Sequence, residues 1–169
     1  MCRPGAPRSH DQPGCRPVLR PGRQPPAVRC GCCSGLTGRG AWKVFGSSSG
    51  FRLPDSSVLS PDASVVRLDR WQALTPEQRR SFAPLCPDLV VELASPSDEG
   101  PRGVSALRQK MASYQANGAR LGWLLLPHEQ TVEIWTASGE PQRLEGCECL
   151  EAGSEFPGLQ LELSEIWAG

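Results

Sequence analysis

From Ala41 onward, short apolar segments alternate with polar turns and with helical patterns. Apolar or alternating runs of three to six residues, bounded by Gly, Pro, Ser or Asp, predict strands. Seven such strands are predicted, at residues 42–45, 51–53, 64–68, 89–93, 121–126, 131–135 and 142–144. A Gly-Ser-Ser-Ser-Gly turn separates the first two, which predicts that they form a hairpin. The segment 121–126 is apolar throughout, as expected of a central strand.

Two segments carry helix signals. Thr-Pro-Glu-Gln at residues 75–78 combines an N-cap, a proline at the first helical position and a glutamine three residues after the cap, which predicts a short helix over 76–82. A second helix is predicted over 103–117, because apolar residues recur there at helical spacing and Asn-Gly ends the pattern. Its apolar side carries Leu107, Met111 and Tyr114. Together these elements predict an α/β fold, a mixed sheet with a helix that crosses between two central strands.

Residues 1–40 differ from the remainder of the chain. They contain seven Arg and five Cys, and Asp11 is their only acidic residue. Pro and Gly interrupt any apolar periodicity, so the segment cannot bury enough surface to offset the entropy of ordering. We therefore expect an irregular, disordered leader over 1–40 and one folded domain over 41–169. Two interpretations of the leader stay open, an Arg-rich arm that contacts phosphates and a segment of little function.

Length and charge narrow the class of protein. A chain of 169 residues suits one domain with a sizeable core, and a formal net charge of zero argues against a generally basic nucleic-acid-binding protein. No apolar run reaches the length of a membrane span, and the N-terminus lacks the apolar core of a secretory signal. We therefore expect a soluble, cytoplasmic protein with reduced thiols.

Two carboxylates stand beside predicted strands. Asp62 lies just before the strand at 64–68, and Glu92 follows the apolar run Leu-Val-Val at 89–91. If neighbouring strands bring both to one point, they form a hard, anionic oxygen site suited to Mg²⁺, an ion that supports phosphodiester hydrolysis. The alternative is structural, with Asp62 capping a turn and Glu92 on a solvated strand end.

A candidate cation lies on the predicted crossing helix. Lys110 is one of two lysines in a chain that otherwise uses Arg, and it shares a helix face with Tyr114 four residues later. If that face packs near Glu92, the ammonium group can reach a metal-bound water or a phosphate oxygen and counter developing negative charge. A solvated surface lysine is the alternative.

Other chemistries have weaker support. Neither His10 nor His128 lies near a Gly-x-Ser-x-Gly elbow, which disfavours a Ser/His/Asp hydrolase. The glycine-flanked turn at 46–50 lacks the Gly-Lys-Ser/Thr ending of a phosphate-binding loop. The Cys-Gly-Cys-Cys run at 30–33 has no second pair at the spacing of a structural zinc site.

Seven segments, taken in order, resemble a known family. They are residues 50–54 (GFRLP), 60–64 (SPDAS), 87–93 (PDLVVEL), 95–98 (SPSD), 110–114 (KMASY), 117–123 (NGARLGW) and 156–159 (FPGL). As an ordered set they are similar to the Uma-type restriction endonuclease family, a branch of the PD-(D/E)xK nuclease superfamily. The resemblance extends over about residues 41–167 and implies a restriction-endonuclease-like α/β core, Mg²⁺ dependence with Mn²⁺ as a substitute, and DNA as the substrate.

The resemblance also assigns roles to residues. It implies that Asp62 and Glu92 are the catalytic, metal-binding carboxylates. The superfamily's lysine normally stands two residues after the glutamate, where this chain has Ala94; in the resembling family the following helix supplies it, which is where Lys110 stands. Asp98 is a second-tier candidate as an outer carboxylate, and Tyr114 as a hydrogen-bonding support.

The sequence therefore predicts a metal-dependent DNA endonuclease that hydrolyses phosphodiester bonds, with a homodimer left open. Relatives usually open with a helix and a hairpin, and residues 1–40 show no such pattern. For this reason one alternative stays open, a catalytically inactive nuclease-fold remnant that serves as a DNA-binding or protein-interaction module.

Overall fold

A computed structural model describes residues 36–37, 41–98 and 100–168. The strands in these ranges are β1 Leu36–Thr37, β2 Trp42–Gly46, β3 Phe51–Arg52, β4 Val58–Leu59, β5 Ala63–Arg67, β6 Leu89–Leu93, β7 Leu121–Leu126, β8 Thr131–Thr136, β9 Gln142–Glu145, β10 Cys149–Glu151 and β11 Gln160–Glu162. The α-helices are α1 Leu68–Gln72, α2 Pro76–Arg79, α3 Pro101–Ala116 and α4 Ser164–Ala168. Short 3-10 helices lie at Pro96–Asp98, Pro127–Glu129 and Gly153–Glu155.

Six strands form the main sheet, in the order β2-β5-β6-β7-β8-β9. The central strands β6 and β7 run parallel, and every other neighbouring pair is antiparallel. A parallel pair needs a crossover connection, and α3 supplies it. The predicted mixed sheet with a crossing helix is therefore confirmed.

Side-chain alternation along β6 divides the core into two layers. Leu89 and Val91 pack in a cluster on the face that carries β10 and β11. Val90 packs on the other face, against α3, in a cluster that includes Met111. Because successive strand residues point to opposite faces, Glu92 shares the α3 face with Val90. Gly122 on β7 admits α3 closely, since a Cβ there would lie 2.4 Å from Met111 Cε.

A second, three-stranded antiparallel sheet, β1-β11-β10, covers the face opposite α3. It places Leu150 opposite Leu161, and both are buried in the core. The sequence did not predict these strands, because each has only two or three residues, too few for an alternating pattern.

The predicted hairpin between residues 42–45 and 51–53 is wrong. Both segments form strands, but β2 pairs with β5, and β3 pairs with β4. The intervening Gly-Ser-Ser-Ser-Gly turn reverses the chain without fixing which strands become partners. Pairing with β5 places β2 at the edge of the main sheet, where Val44 packs against the core.

Both predicted helices are confirmed, with differences at their ends. Thr75 and Gln78 form the predicted capping box, but α2 ends at Arg79 rather than at residue 82. Helix α3 begins two residues earlier than predicted, at Pro101, and Gly118 follows it in a left-handed conformation with φ of +100°. Such a positive φ favours glycine and ends the helix before β7.

Most of the predicted leader lies outside the described residues, including the Cys-Gly-Cys-Cys run. Within it β1 is described, and this strand pairs with β11. The domain boundary at residue 41 stays a prediction. None of the helices in the described ranges is long and apolar enough to cross a membrane.

Candidate active site

Glu92 is a buried carboxylate at the C-terminal end of a central strand. The run Leu-Val-Val before it is fully apolar and places β6 in the middle of the sheet. As a result the glutamate is only 1% exposed. A buried carboxylate is costly unless it is paired or binds a cation, so this position calls for a partner.

Lys110 on α3 supplies one such partner. Its Nζ donates to Glu92 Oε2 at 2.8 Å and to the main-chain oxygen of Ser60, also at 2.8 Å. The helix is held against the sheet by Met111 and Tyr114, both buried, so the position of Lys110 follows from the packing of α3. The ammonium group has three N–H donors, and these two contacts leave the third available.

Asp62 lies beside Glu92 across the antiparallel pair of β5 and β6. Ala63 is opposite Val91 in the register, which brings the residue before Ala63 next to the residue after Val91. Asp62 Oδ2 accepts the main-chain N–H of Leu93 at 2.8 Å, and the side chain is half-buried. This bond orients the carboxylate toward the end of β6, and its second oxygen is available to a ligand.

The environment shifts the protonation of Glu92. Burial raises the pKa of Glu92 from 4.5 to about 7, the hydrogen bond and charge of Lys110 oppose the rise, and the negative charge of Asp62 adds to it. The carboxyl group therefore titrates near neutrality when no cation is bound. A second positive charge at this point would stabilise the ionised form.

Two buried polar atoms near this pair have no hydrogen-bond partner among the described residues. They are Glu92 Oε1 and the hydroxyl oxygen of Tyr114. Burial is the largest cause that raises the pKa of Tyr114, and the charge of Glu92 and a hydrogen-bond interaction with it add to the rise, so the hydroxyl stays protonated and remains a donor. The hydroxyl therefore lies close to Glu92, but no hydrogen bond of good geometry joins the two side chains. Buried polar atoms are rarely left unpaired, and an unpaired carboxylate oxygen beside a second carboxylate suits a bound cation.

The donor set fits Mg²⁺ in a specific way. Asp62 and Glu92 offer hard oxygen ligands, and Mg²⁺ is usually held by one or two carboxylates while substrate phosphate and waters complete its coordination. No group of three or more His, Cys, Asp or Glu side chains suited to a metal is found in the described ranges. The arrangement is therefore suited to an ion that is completed by substrate, and not to an all-protein metal cage.

The remaining sequence candidate, Asp98, has a structural role in the fold, and Ala94 has no role in the chemistry. Asp98 Oδ2 accepts from both the main-chain N–H and the hydroxyl of Ser95, and these bonds hold the pKa of Asp98 below its ordinary value. Asp98 thus closes the turn between β6 and α3. Ala94, at the position where the superfamily has its lysine, packs against the core on the α3 face and offers no polar group.

One functional group was not predicted from the sequence. The main-chain oxygen of Ser60 fixes Lys110, and no side-chain pattern can signal a carbonyl. The buried acids Asp88 and Glu133 were not assigned partners either; Asp88 pairs with Arg70, and Glu133 with Arg108. The only available signal for them was an acidic residue in an otherwise apolar strand or at its start.

Comparisons with known proteins identify the family and the fold. A family model described as "Uma2: Putative restriction endonuclease" matches residues 34–164. Among solved structures, the chain is similar to "a putative nuclease belonging to DUF820" from Anabaena variabilis, with a TM-score of 0.58 and 20% sequence identity over 76% of this chain and 69% of that one. At this identity the likeness shows the fold alone. No curated protein matches the chain. The predicted family resemblance and fold class are thereby confirmed.

Proposed function

Because the chain belongs to the Uma2 family of restriction-endonuclease-like proteins, we propose that it is a Mg²⁺-dependent DNA endonuclease, with residues 41–169 as its catalytic domain. One observation carries the proposal. The buried Glu92 has one oxygen paired with Lys110 and one without a partner, and Asp62 lies beside it. The open oxygen and the neighbouring carboxylate together offer a cation two hard oxygen ligands.

Asp62 and Glu92 would hold the metal ion, and Mn²⁺ would serve in place of Mg²⁺ because it prefers the same oxygen ligands. When bound, such an ion polarises the scissile phosphate and lowers the pKa of a bound water. The protein contributes the position of both carboxylates. Glu92 is fixed by β6 and by Lys110, and Asp62 by the N–H of Leu93.

Lys110 would position the attacking water. Two of its three donors are used by Glu92 and Ser60, so the third can reach a water or a phosphate oxygen. Its positive charge opposes the negative charge that develops on the phosphate in the transition state. In the hydrolysis the attacking water gives a proton to solvent as its oxygen bonds to phosphorus, the phosphorus–oxygen bond to one strand end breaks, and the leaving oxygen takes a proton from solvent.

The test is DNA cleavage by purified protein with Mg²⁺, compared with the same reaction in EDTA. Glu92→Gln keeps size but removes the charge that a hard cation needs, so cleavage should fall by a factor of roughly 10³ or more while the protein stays folded. Glu140→Gln is the matched control, because Glu140 is exposed in a turn and the same charge is lost there. Equal cleavage by wild type and Glu92→Gln would assign the activity to another site.

The inactive alternative gives a different result. A folded wild-type protein that binds DNA but cuts no member of a broad substrate set, with Mg²⁺ or Mn²⁺, would favour the nuclease-fold remnant. Residues 1–40, which lack the helix and hairpin pattern with which relatives usually open, are the main sequence observation in favour of this alternative, and Ala94 is the second.

A further inference from the structure

A cavity lies near the candidate active site. It has a volume of about 390 Å³ and lies between the end of β2, the start of β3 and the segment after α2. Its walls include Phe45, Phe51, Trp71 and Phe82, with Gly50 at one side. None of the residues that the structure places around it is acidic. Phe51 belongs to the core, Phe45 and Trp71 pack against it, and Phe82 alone of the four is exposed.

Three of the aromatic rings are in contact, and the fourth is exposed. Phe45 meets Trp71 edge to face at 4.8 Å between ring centroids, and meets Phe51 in the same way at 5.4 Å. Phe82 stays 49% exposed, although it is a large apolar side chain. An exposed ring beside rigid aromatic neighbours is suited to stack on a flat, aromatic ligand.

Positive charge surrounds the same opening. Arg79 and Arg80 line it, and neither has a carboxylate partner in the described part of the chain. Arg79 is oriented by a bond from Nη2 to the main-chain oxygen of Gln72 at 2.6 Å. Lys43 Nζ adds a further cation 4.4 Å from the centre of the Trp71 ring. Aromatic rings with cations that lack carboxylate partners around them complement a base attached to phosphates.

The cavity is joined to the candidate active site through one residue. A Cβ built on Gly50 would lie 2.9 Å from Ser60 Oγ, so Ser60 touches the cavity wall. The main-chain oxygen of the same Ser60 accepts from Lys110 Nζ. A strand with a phosphate at Lys110 therefore needs to extend only past Ser60 to place a neighbouring nucleotide at the cavity.

Gly50 leaves room for the Phe82 ring at the side of the cavity. A Cβ on Gly50 would lie 2.5 Å from Phe82 Cδ1, closer than real contacts allow, so any side chain there would displace the Phe82 ring. The absence of a side chain is therefore what lets Phe82 stand at the opening.

We propose that this cavity is a nucleobase subsite, which takes one unpaired base next to the scissile phosphate by stacking on Phe82, while Arg79 and Arg80 bind the adjoining phosphates. The inference rests on the proposed function, because it takes the strand held at Glu92 and Lys110 to be DNA. A duplex would have to present a flipped or frayed base, so single-stranded DNA should bind more tightly than duplex DNA.

Fluorescence anisotropy with a labelled single-stranded oligonucleotide, in EDTA and again with Ca²⁺, measures binding separately from cleavage. Phe82→Ala should weaken binding by roughly 5- to 150-fold, the usual effect of losing one stacked base. Leu144→Ala is the matched control, because Leu144 is 41% exposed on the edge strand β9, remote from the cavity, and its loss should change binding less than twofold.

Arg80→Ala should weaken binding and lower the slope of log affinity against log salt by about 0.7, the value for one lost phosphate contact on a single strand. Arg120→Ala is its control, since it also removes one positive charge, at the end of β6 and β7 that lies opposite Glu92.

A set of oligonucleotides, each with one abasic position, separates the contribution of a base to binding from that of its phosphate. Wild type should lose affinity at one position of the scan, and Phe82→Ala should lose nothing further there.

The outcomes separate the subsite from the enzyme. If wild type binds and cuts DNA while Phe82→Ala and Arg80→Ala bind like their controls, the subsite is overturned and the endonuclease proposal stands. If binding depends on Phe82 and Arg80 but no DNA is cut with Mg²⁺, the subsite stands and the endonuclease proposal fails. An abasic scan without any sensitive position, or a wild type that binds no DNA, overturns the subsite.

Discussion

The two ends of β6 carry two buried acids with opposite surroundings. Asp88, just before the strand, is 2% exposed, and both its oxygens are bonded: Oδ2 accepts the N–H of Arg67 at 2.8 Å, and Oδ1 accepts from Arg70 Nη1 at 2.7 Å. Glu92, four residues later, is equally buried, but only Oε2 has a partner. Burial alone therefore does not distinguish these two acids; the oxygen without a well-formed hydrogen bond does.

The comparison extends to the cations. The Arg70 guanidinium forms an ion pair with Asp88, and Arg70 belongs to the short helix α1, which packs on β2 and β5. Lys110 bridges Glu92 and the main chain before Asp62, so it ties the two candidate metal ligands together. A fully bonded acid stabilises the fold, whereas an acid with one open oxygen retains capacity for a ligand at some cost in stability.

At the Glu92 end of β6, substitution of Lys110 should lower DNA cleavage more than any other change except substitution of Glu92. Lys110→Ala should lower cleavage by roughly 10²–10³-fold at saturating Mg²⁺, because the attacking water loses its positioning donor and the phosphate loses a countercharge. Metal affinity measured well above pH 7, where Glu92 is ionised, should stay unchanged or improve slightly, because a nearby positive charge is gone. Near pH 7 the affinity should fall, because Lys110 no longer lowers the pKa of Glu92. Single-turnover cleavage and Mg²⁺ titration calorimetry would show this pattern together.

Lys110→Arg provides the control for charge. It keeps the positive charge but not the geometry of a compact ammonium, so it should recover only part of the lost rate. Full activity in Lys110→Ala would show that this ammonium is a structural partner of Glu92, like Arg70 at the other end of the strand.

At the Asp88 end the expected effect is on stability. Asp88→Asn turns one acceptor into a donor that faces either the N–H of Arg67 or the Arg70 guanidinium, so the free energy of unfolding should fall by about 2–3 kcal/mol. Cleavage by the folded fraction should remain. Urea unfolding of Asp69→Asn, an exposed acid paired with Arg67, gives the baseline and should lose less than about 1 kcal/mol.

Measured beside it, Glu92→Gln should lose little stability or gain some, because burial disfavours the charged form of Glu92 and the neutral amide oxygen can still accept from Lys110. If Asp88→Asn and Glu92→Gln were equally destabilising, the contrast between the two ends of β6 would disappear, and Glu92 would have to be counted among the structural acids.

The pH dependence follows from the raised pKa of Glu92. The folded pKa of about 7 lies above the ordinary 4.5, so in the metal-free protein this group favours folding below 4.5 and that contribution is lost as the pH rises through 7. A metal ion needs the ionised form. Mg²⁺ affinity should therefore fall by up to about tenfold per unit below pH 7 and level off above it.

Calorimetry in two buffers of different ionisation enthalpy would measure the proton released when Mg²⁺ binds. About one proton should be released well below pH 7 and almost none well above it. Release that is the same in Glu92→Gln as in wild type would place the titrating group elsewhere.

The sequence predicted the central elements because their signals are local. Each of three elements is predicted by its own local pattern: the apolar run in β6, the helical spacing in α3 and the continuous apolar run in β7. The first two of these elements carry Glu92 and Lys110. The partner of β2 was not predictable in this way, since pairing is a property of two segments. The oxygen of Ser60 and the bond from Leu93 to Asp62 are main-chain contacts, which exist only once the strands are in register.

Tyr114 should give the smallest effect and the finest test of the comparison. Its hydroxyl is buried near Glu92 without a partner, so Tyr114→Phe removes an unsatisfied group and should change the free energy of unfolding by less than about 1 kcal/mol, or raise it. If the hydroxyl donates to a ligand only when metal and DNA are bound, cleavage should fall by a few fold, while metal-free stability is kept. Phe has the same ring, so packing against Met111 is preserved and a rate loss reports the hydroxyl alone. A stability loss of about 2 kcal/mol or more would instead show that the hydroxyl is already bonded in the resting protein, and Glu92 would then have one open oxygen fewer to offer a cation.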